Sequence, residues 1–293
     1  MSYEYKTLDE ISSGFDTLDP VQFRNYLEKT QHAAKIKPAS AFLDQLIESF
    51  EKPKAATGDT LPSVYSQDKF RFRKGEVSLW TGFNGHGKSM ILGQTMLNVM
   101  VSAGKKVGIA SMEMQPWDTL NRMSRQFFGN ARPSVEELTE FLATIKGHCF
   151  IYDHVGTAKS RELLDAVAYS GHELKLDHFV IDSLLKVDIA DDDMNAQKRF
   201  LDNICAIAKD TGMHIHLVAH ARKGSDEDTP PGKMDVRGSG SLTDQVDNVL
   251  SMWQAKTDKA RKDFPMADAV LCCSKQRHGG WEGRIPLKFN KHS

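Results

Sequence analysis

Cysteine is scarce in this chain of 293 residues. There are four, Cys149, Cys205, Cys272 and Cys273, and no C-x-x-C pair among them. That excludes the pattern of a small disulfide-stapled secreted domain and fits reduced thiols that pack as small apolar side chains. Net charge is nearly absent too: 38 Lys and Arg stand against 39 Asp and Glu, a balance of −1. No global basic field announces a nucleic-acid partner, so any such site must be local. No stretch is apolar for long enough to span a bilayer, and "MSYEYKTLDEISSGFDTLDP" carries acids where a signal peptide needs a basic start and an apolar run. A soluble intracellular protein without a membrane partner is expected. Internal repeats and low-complexity tracts are also missing. What is present, 40% apolar residues over 293 positions, suffices for one substantial core plus an appendage.

The first sixty residues differ from the rest. "LDPVQFRNYLEKTQ" offers Asp19 as a helix cap with Pro20 at the first helical position. "SAFLDQLIESF" places Leu43, Leu46, Ile47 and Phe50 on one helical stripe that ends before Pro53, and "EKPKAATGDTLPS" reads as a linker. One short helix cannot bury its stripe alone, so it docks on its own core or on a neighbouring chain, and the sequence leaves both open. The expected division is a helical extension and linker over 1–60 and one domain over 61–293. From about residue 74 strands alternate with helices, the mark of an α/β fold with a mainly parallel sheet covered on both faces. The strand candidates are "EVSLWT", "KVGIAS", "CFIYD", "HFVID", "HIHLVAH", "DNVLSMW" and "AVLCCSK". In "AQKRFLDNICAIAKDTG", Leu201, Ile204, Cys205 and Ala208 share a helical face and Gly212 supplies a stop.

"GFNGHGKS" fits G-x-x-x-x-G-K-[ST] between a strand and a helix, the context in which that motif forms a phosphate-binding P-loop. Gly82, Asn84, Gly85, His86 and Gly87 form the turn, Lys88 brings a point charge, and Ser89 offers a hydroxyl to Mg²⁺. "HFVID" ends in Asp182, the shape of a Walker B carboxylate that holds magnesium. The next residue is Ser183, so the base that activates water is not supplied beside it. Glu113, just past the strand "KVGIAS", is the best candidate for that base. His220 ends "HIHLVAH" where it can feel a terminal phosphate, whereas His214 and His216 fit an alternating half-exposed strand.

These blocks together resemble the hexameric RecA-like helicases of superfamily 4, the group of DnaB, Twinkle and the phage primase-helicases. "GFNGHGKS", "ASMEM", "HFVIDSLL", "HLVAHARK", "DVRGSGSLTDQVDNVL" and "SKQRHGG" occur in that family's order over roughly residues 74 to 290. The resemblance implies a RecA-like P-loop NTPase core that uses ATP and Mg²⁺. Lys88 and Ser89 would bind phosphates and metal, Asp182 the metal, Glu113 would be the general base and His220 the γ-phosphate sensor. Lys275 and Arg277 match the family's Lys-x-Arg pair, which reaches into the adjacent subunit's site with the arginine as finger; this implies a homo-oligomeric ring, hexameric in the family. The "RGSG" stretch, Arg237, Gly238, Ser239 and Gly240, would line the channel and touch single-stranded DNA, with Lys233 a weaker candidate. Acids at 191–193 and 226–228 argue against purely electrostatic DNA binding and for contacts from backbone N–H groups.

The implied function is an ATP-dependent helicase and translocase on single-stranded and forked DNA in replication, moving 5′ to 3′, in the cytoplasm of a bacterial or phage-infected cell. Sixty preceding residues are too few for a primase domain, so a separate primase is the expected partner if priming is needed. Two other readings stay open: a DNA-stimulated RecA-like accessory ATPase, for recombination or loading, that does not unwind, and a nucleotide-gated scaffold with no nucleic-acid partner.

Overall fold

"VSLWT", "VGIAS" and "HIHLV" carry large or apolar side chains on both faces, as strands covered on both sides do. In the computed structural model, which describes residues 38–51, 53, 56–62, 69–190, 192–222, 228–236, 241–257, 262, 265 and 267–288, all three are buried along their whole length. The chain divides into two units, Met1–Pro53 and Lys54–Ser293.

In the first unit a 3₁₀ turn, Ala39–Phe42, leads into helix α1, Leu43–Glu51. Leu43, Leu46, Ile47 and Phe50 are all exposed on it. The helix expected from Asp19 and Pro20 lies outside the described residues.

The second unit opens with the antiparallel pair β1 (Asp59–Thr60) and β2 (Arg71–Phe72). Its centre is an eight-stranded sheet built from β3 (Val77–Thr81), β4 (Val107–Ser111), β5 (Cys149–Ile151), β6 (His178–Asp182), β7 (His214–Val218), β8 (Asn248–Gln254), β9 (Ala269–Gln276) and β10 (Gly283–Leu287), in the order β10-β9-β8-β3-β7-β6-β4-β5. The strands from β3 to β8 run parallel to their neighbours, and β9 and β10 add an antiparallel edge. This is the mainly parallel sheet of the expected RecA-like core.

Helices fill the crossovers: α2 (Lys88–Ala103), α3 (Pro116–Phe128), α4 (Val135–Thr144), α5 (Ser160–His172), α6 (Met194–Thr211) and α7 (Ser241–Gln245). Side chains of α2, α3 and α4 pack with Trp80, Val180 and Val218 on one face, and those of α5, α6 and α7 with Leu79, Ile181 and Leu217 on the other. Helix α6 shows how its sequence sets its limits. Asp193 accepts from the Ala196 N–H at the start, and Gly212 stops it in the left-handed region at φ 74° with its N–H on Ala208 O. Phe200, Leu201, Ile204 and Ala208 are buried on it, while Cys205 is only partly covered. Among the described residues no helix is long and apolar enough to cross a membrane. All four cysteines are free, and burial pushes the thiols of Cys149 and Cys205 up to about 11 and Cys273 up to about 12, so they stay protonated.

One expectation is corrected. His214 and His216 are not half-exposed: both are buried, because β7 lies in the middle of the sheet between β3 and β6 with helices on each face. Their ring nitrogens find partners inside. His214 Nε2 meets Ser78 Oγ at 2.8 Å, and His216 Nδ1 accepts from Trp80 Nε1 at 3.1 Å. His216 Nε2 then meets His178 Nδ1 at 3.1 Å, and His178 Nε2 meets Asp59 Oδ2 at 3.2 Å.

Candidate phosphate site

Ligands of open parallel sheets sit beyond the carboxyl ends of the strands. There, the turn after β3 carries "GFNGHGKS". Gly82 and Gly87 stand at φ 144° and 86°, and a Cβ on Gly82 would collide with the carbonyl of Met252, so this backbone path requires glycine. Gly87 leads into α2 with no side-chain cap, which leaves the first N–H groups of the helix aimed out of its amino end, the arrangement that receives phosphate.

A cavity of about 850 Å³ lies over this end. It is lined by Asn84, Gly85, Gly87, Lys88, Ser89, Glu113, Arg122, Asp182 and His220, among others. Lys88 is buried and its Nζ donates to the carbonyls of Gly82 and Phe83, both at 2.9 Å. Burial lowers the pKa of that ammonium, while Asp182 and Glu113 pull it back up. Asp182 closes β6. Burial raises its carboxyl pKa, and the Ser89 hydroxyl that donates to it, with Lys88 and Arg122 nearby, offsets part of the rise. Ser89 and Asp182 therefore lie beside each other, a hydroxyl and a partly covered carboxylate that suit a hard divalent cation. No cluster of three or more His, Cys, Asp or Glu converges among the described residues, so such a cation would take its remaining ligands from water and phosphate, the habit of Mg²⁺.

Glu113 follows β4 and is held from the side: Ser183 Oγ donates to its Oε1 at 2.8 Å, and His220 Nε2 stands 3.8 Å from the same oxygen. Ser183 is fully buried. In the sequence Ser183 shows only that no base stands there, yet its hydroxyl holds the Glu113 carboxylate. Arg122, on α3, also escapes sequence reasoning; the signal is its place one helix past Glu113, on the same side of the crossover.

His86 behaves differently from its neighbours in the motif. Its ring turns away from the phosphate cavity, is buried, packs edge-on against Phe83 and accepts from the Gln254 N–H at 3.1 Å. Burial and the charges of Lys256 and Lys88 push it down to about 4, so it is neutral. It lines a second cavity of about 380 Å³, with Met90, Ile91, Met252, Gln254 and Leu287, which meets the first at Gly85 and Gly87. Gln94, Gln126 and Lys288 also line this recess, so polar and apolar groups share it beside the phosphate site.

Lys275 and Arg277 are not at this cavity. Asn248 at the start of β8 pairs with both Ser78 and Gln276, which puts the end of β9 at the amino edge of the parallel strands. Along β3 alone that is about 13 Å from the P-loop edge. Lys233 is exposed in a short 3₁₀ turn, Lys233–Asp235, and its charge reaches Lys275. Arg237, Gly238, Ser239 and Gly240 lie outside the described residues, as do Asp191, Asp226 and Glu227.

A family model described as an AAA domain matches residues 25–226. A DNA helicase/primase of Enterobacteria phage T3 is 26% identical over 200 residues, which are 61% of this chain and 35% of the relative. The aligned part thus spans about a third of that relative's length. Among solved structures, one described as an ATPase domain superposes with a TM-score of 0.68 at 17% identity, covering 86% of this chain and 96% of that one. A DnaB-like replicative helicase, described with its interactions with primase, gives 0.67 at 15% identity over 97% and 73%. The likeness to DnaB-type ATPase cores expected from the sequence blocks is borne out in the fold.

Proposed function

The chain belongs to the AAA-domain family, and from that premise we propose that it is an ATP-driven translocase that moves 5′ to 3′ along single-stranded DNA and unwinds forked duplex DNA during replication, in the cytoplasm of a bacterial or phage-infected cell. The observation that carries this reading is the convergence of Lys88, Ser89, Asp182 and a Ser183-held Glu113 on one cavity at the carboxyl edge of the sheet. The helicase/primase named among the relatives and the DnaB-like fold support DNA as what that chemistry works on.

In this reading Lys88 and the amino end of α2 hold the β- and γ-phosphates. Ser89 and Asp182 hold Mg²⁺, which when bound neutralises charge on those phosphates. Glu113 takes the proton of the attacking water, and Ser183 keeps its carboxylate turned toward that water. His220, within 4 Å of the same oxygen, is placed to register whether the terminal phosphate is present. Arg122 adds positive charge from the same subunit.

Arg277 and Lys275 stand at the opposite edge and serve the site of an adjacent copy. The active sites are therefore shared between subunits of a ring, hexameric by family resemblance. The exposed stripe Leu43, Leu46, Ile47 and Phe50 of α1 supports assembly, since a neighbouring copy would cover it. Arg237 to Gly240, with Lys233, carry the DNA contact.

The test is ATP-dependent displacement of a labelled strand from a forked duplex by wild type, Lys88→Ala and Arg277→Ala at one fixed salt concentration. Unwinding by wild type alone supports the reading. ATPase activity stimulated by single-stranded DNA without displacement replaces it with an accessory ATPase, and no response to DNA leaves only a nucleotide-gated ATPase.

A further inference from the structure

If Arg277 serves a neighbour's site, as the proposed function has it, then its contacts inside its own chain carry a consequence for regulation. The backbone N–H of Arg277 donates to the Asp247 carbonyl at 2.9 Å, and its guanidinium Nη1 pairs with Asp247 Oδ1 at 3.2 Å. Its second terminal nitrogen leans toward the carbonyls of Asp244 and Gln245, at 3.4 and 3.5 Å. Lys275 does the same more tightly, with Nζ 2.8 Å from the carbonyls of both Thr243 and Asp244. These carbonyls belong to the last turn of α7, whose acceptors have no intrahelical partner and whose partial negative charge attracts cations.

Asp247 cannot follow the arginine. Its side chain is 8% exposed against 41% for Arg277, and its Oδ2 accepts from the Val77 N–H at 3.0 Å. The carboxylate is thus fixed at the start of the very strand that carries the P-loop at its other end. The β8–β9 register shifts between Val249 and Leu250, leaving Ser274 of β9 unmatched beside this corner, where such irregularities re-aim side chains. The guanidinium is thus engaged on Asp247 and α7 of its own chain.

We propose that Asp247 is a positioning residue that parks Arg277 on its own subunit, so that the finger's crossing to the next subunit is favoured when that subunit holds a nucleoside triphosphate. The competition is electrostatic. A single fixed carboxylate is outmatched by the several charges of a triphosphate's end, which also offers two-point hydrogen bonding, but not by a diphosphate whose terminal group is out of reach. The pair biases a two-position element, and the nucleotide next door sets its balance.

The test compares wild type, Asp247→Asn, Arg277→Ala and the double variant, each as full chain. Steady-state ATPase without DNA and sedimentation velocity with ADP or with a non-hydrolysable ATP analogue are the readouts. Asn keeps an acceptor for the Val77 N–H and removes the charge that holds the arginine. Asp247→Asn is expected to raise basal turnover by about fivefold, the upper value of a half-exposed ion pair. It is also expected to assemble with ADP nearly as well as with the analogue, where wild type requires the analogue. Adding Arg277→Ala should abolish both gains. A folded Asp247→Asn with basal turnover at or below wild type overturns the proposal, as does a gain that survives Arg277→Ala. If Asn does not fold, Asp247→Ser, which also keeps an acceptor, is read by the same criteria. Loss of turnover in Arg277→Ala with no gain in Asp247→Asn sinks the parking alone, whereas full turnover in Arg277→Ala sinks the shared site as well.

Discussion

The two edges of the same parallel strands are both polar, yet they are put together in opposite ways. At the amino edge polar groups answer one another: Ser78 with His214, His216 with Trp80 and His178, His178 with Asp59, Asn248 with Glu76, and Arg73 with Gln276. At the carboxyl edge Lys88, Glu113, Arg122 and Asp182 surround a cavity of about 850 Å³. A buried polar group with its partners inside rigidifies a core, while a desolvated charge facing open space is tuned for a ligand. The difference teaches that burial and polarity alone do not mark a site; where the partner must come from does.

If that contrast holds, substitutions at the two edges separate activity from stability. The largest effect is expected for Glu113→Gln, which should lower steady-state ATPase by about 10² to 10⁴ while moving the melting temperature by less than about 2 °C. Next comes the other edge. His216→Ala leaves the Trp80 N–H without its acceptor and opens a void, costing about 3 kcal/mol in urea unfolding. ATPase per folded molecule should stay within about twofold of wild type, because no group at the cavity changes.

A pH series sharpens the same point. Burial depresses His214 to about 3 and His216 well below its usual value, whereas both titrate near 6.5 when unfolded. Above about pH 6.5 neither state binds their protons. As pH falls from there toward 3, only the unfolded chain does, so each histidine removes up to about 1.4 kcal/mol of stability per pH unit. Unfolding midpoints should therefore drop clearly between pH 7 and 5, and His214→Gln should flatten that slope; equal slopes in variant and wild type would mean that the network does not stay neutral. The smallest effect is expected for Ser183→Ala, which loses one hydrogen bond to Glu113 and should lower turnover by about three- to tenfold with little change in KM for ATP.

Much of the carboxyl edge is legible because its chemistry is written at fixed spacings. A P-loop between strand and helix, an acid closing a strand, and an acid one strand over suffice to name Lys88, Ser89, Asp182 and Glu113. The motif does not tell which way its variable positions face, which is why it groups His86 with the phosphate contacts although the ring turns to Gln254. The amino edge is poorly legible for a different reason. "HIHLVAH" alternates, and alternation reads as a half-wet strand; only the strand order, with β7 between β3 and β6, shows that both faces are covered. Ser183 and Asp247 escape because the groups they contact, Glu113 and Arg277, lie 70 and 30 residues away in sequence.

The central claim is that one catalytic site takes Lys88 from one subunit and Arg277 from the next, and mixing two inactive variants tests it most directly. Lys88→Ala and Arg277→Ala would be purified separately, combined, allowed to exchange subunits and assayed for ATPase with single-stranded DNA. Wherever an Arg277→Ala subunit meets the intact arginine of a Lys88→Ala neighbour, a complete site is expected, so the mixture should regain a clear fraction of wild-type turnover that neither variant shows alone. A mixture that exchanges subunits and stays as inactive as its components would contradict the shared site.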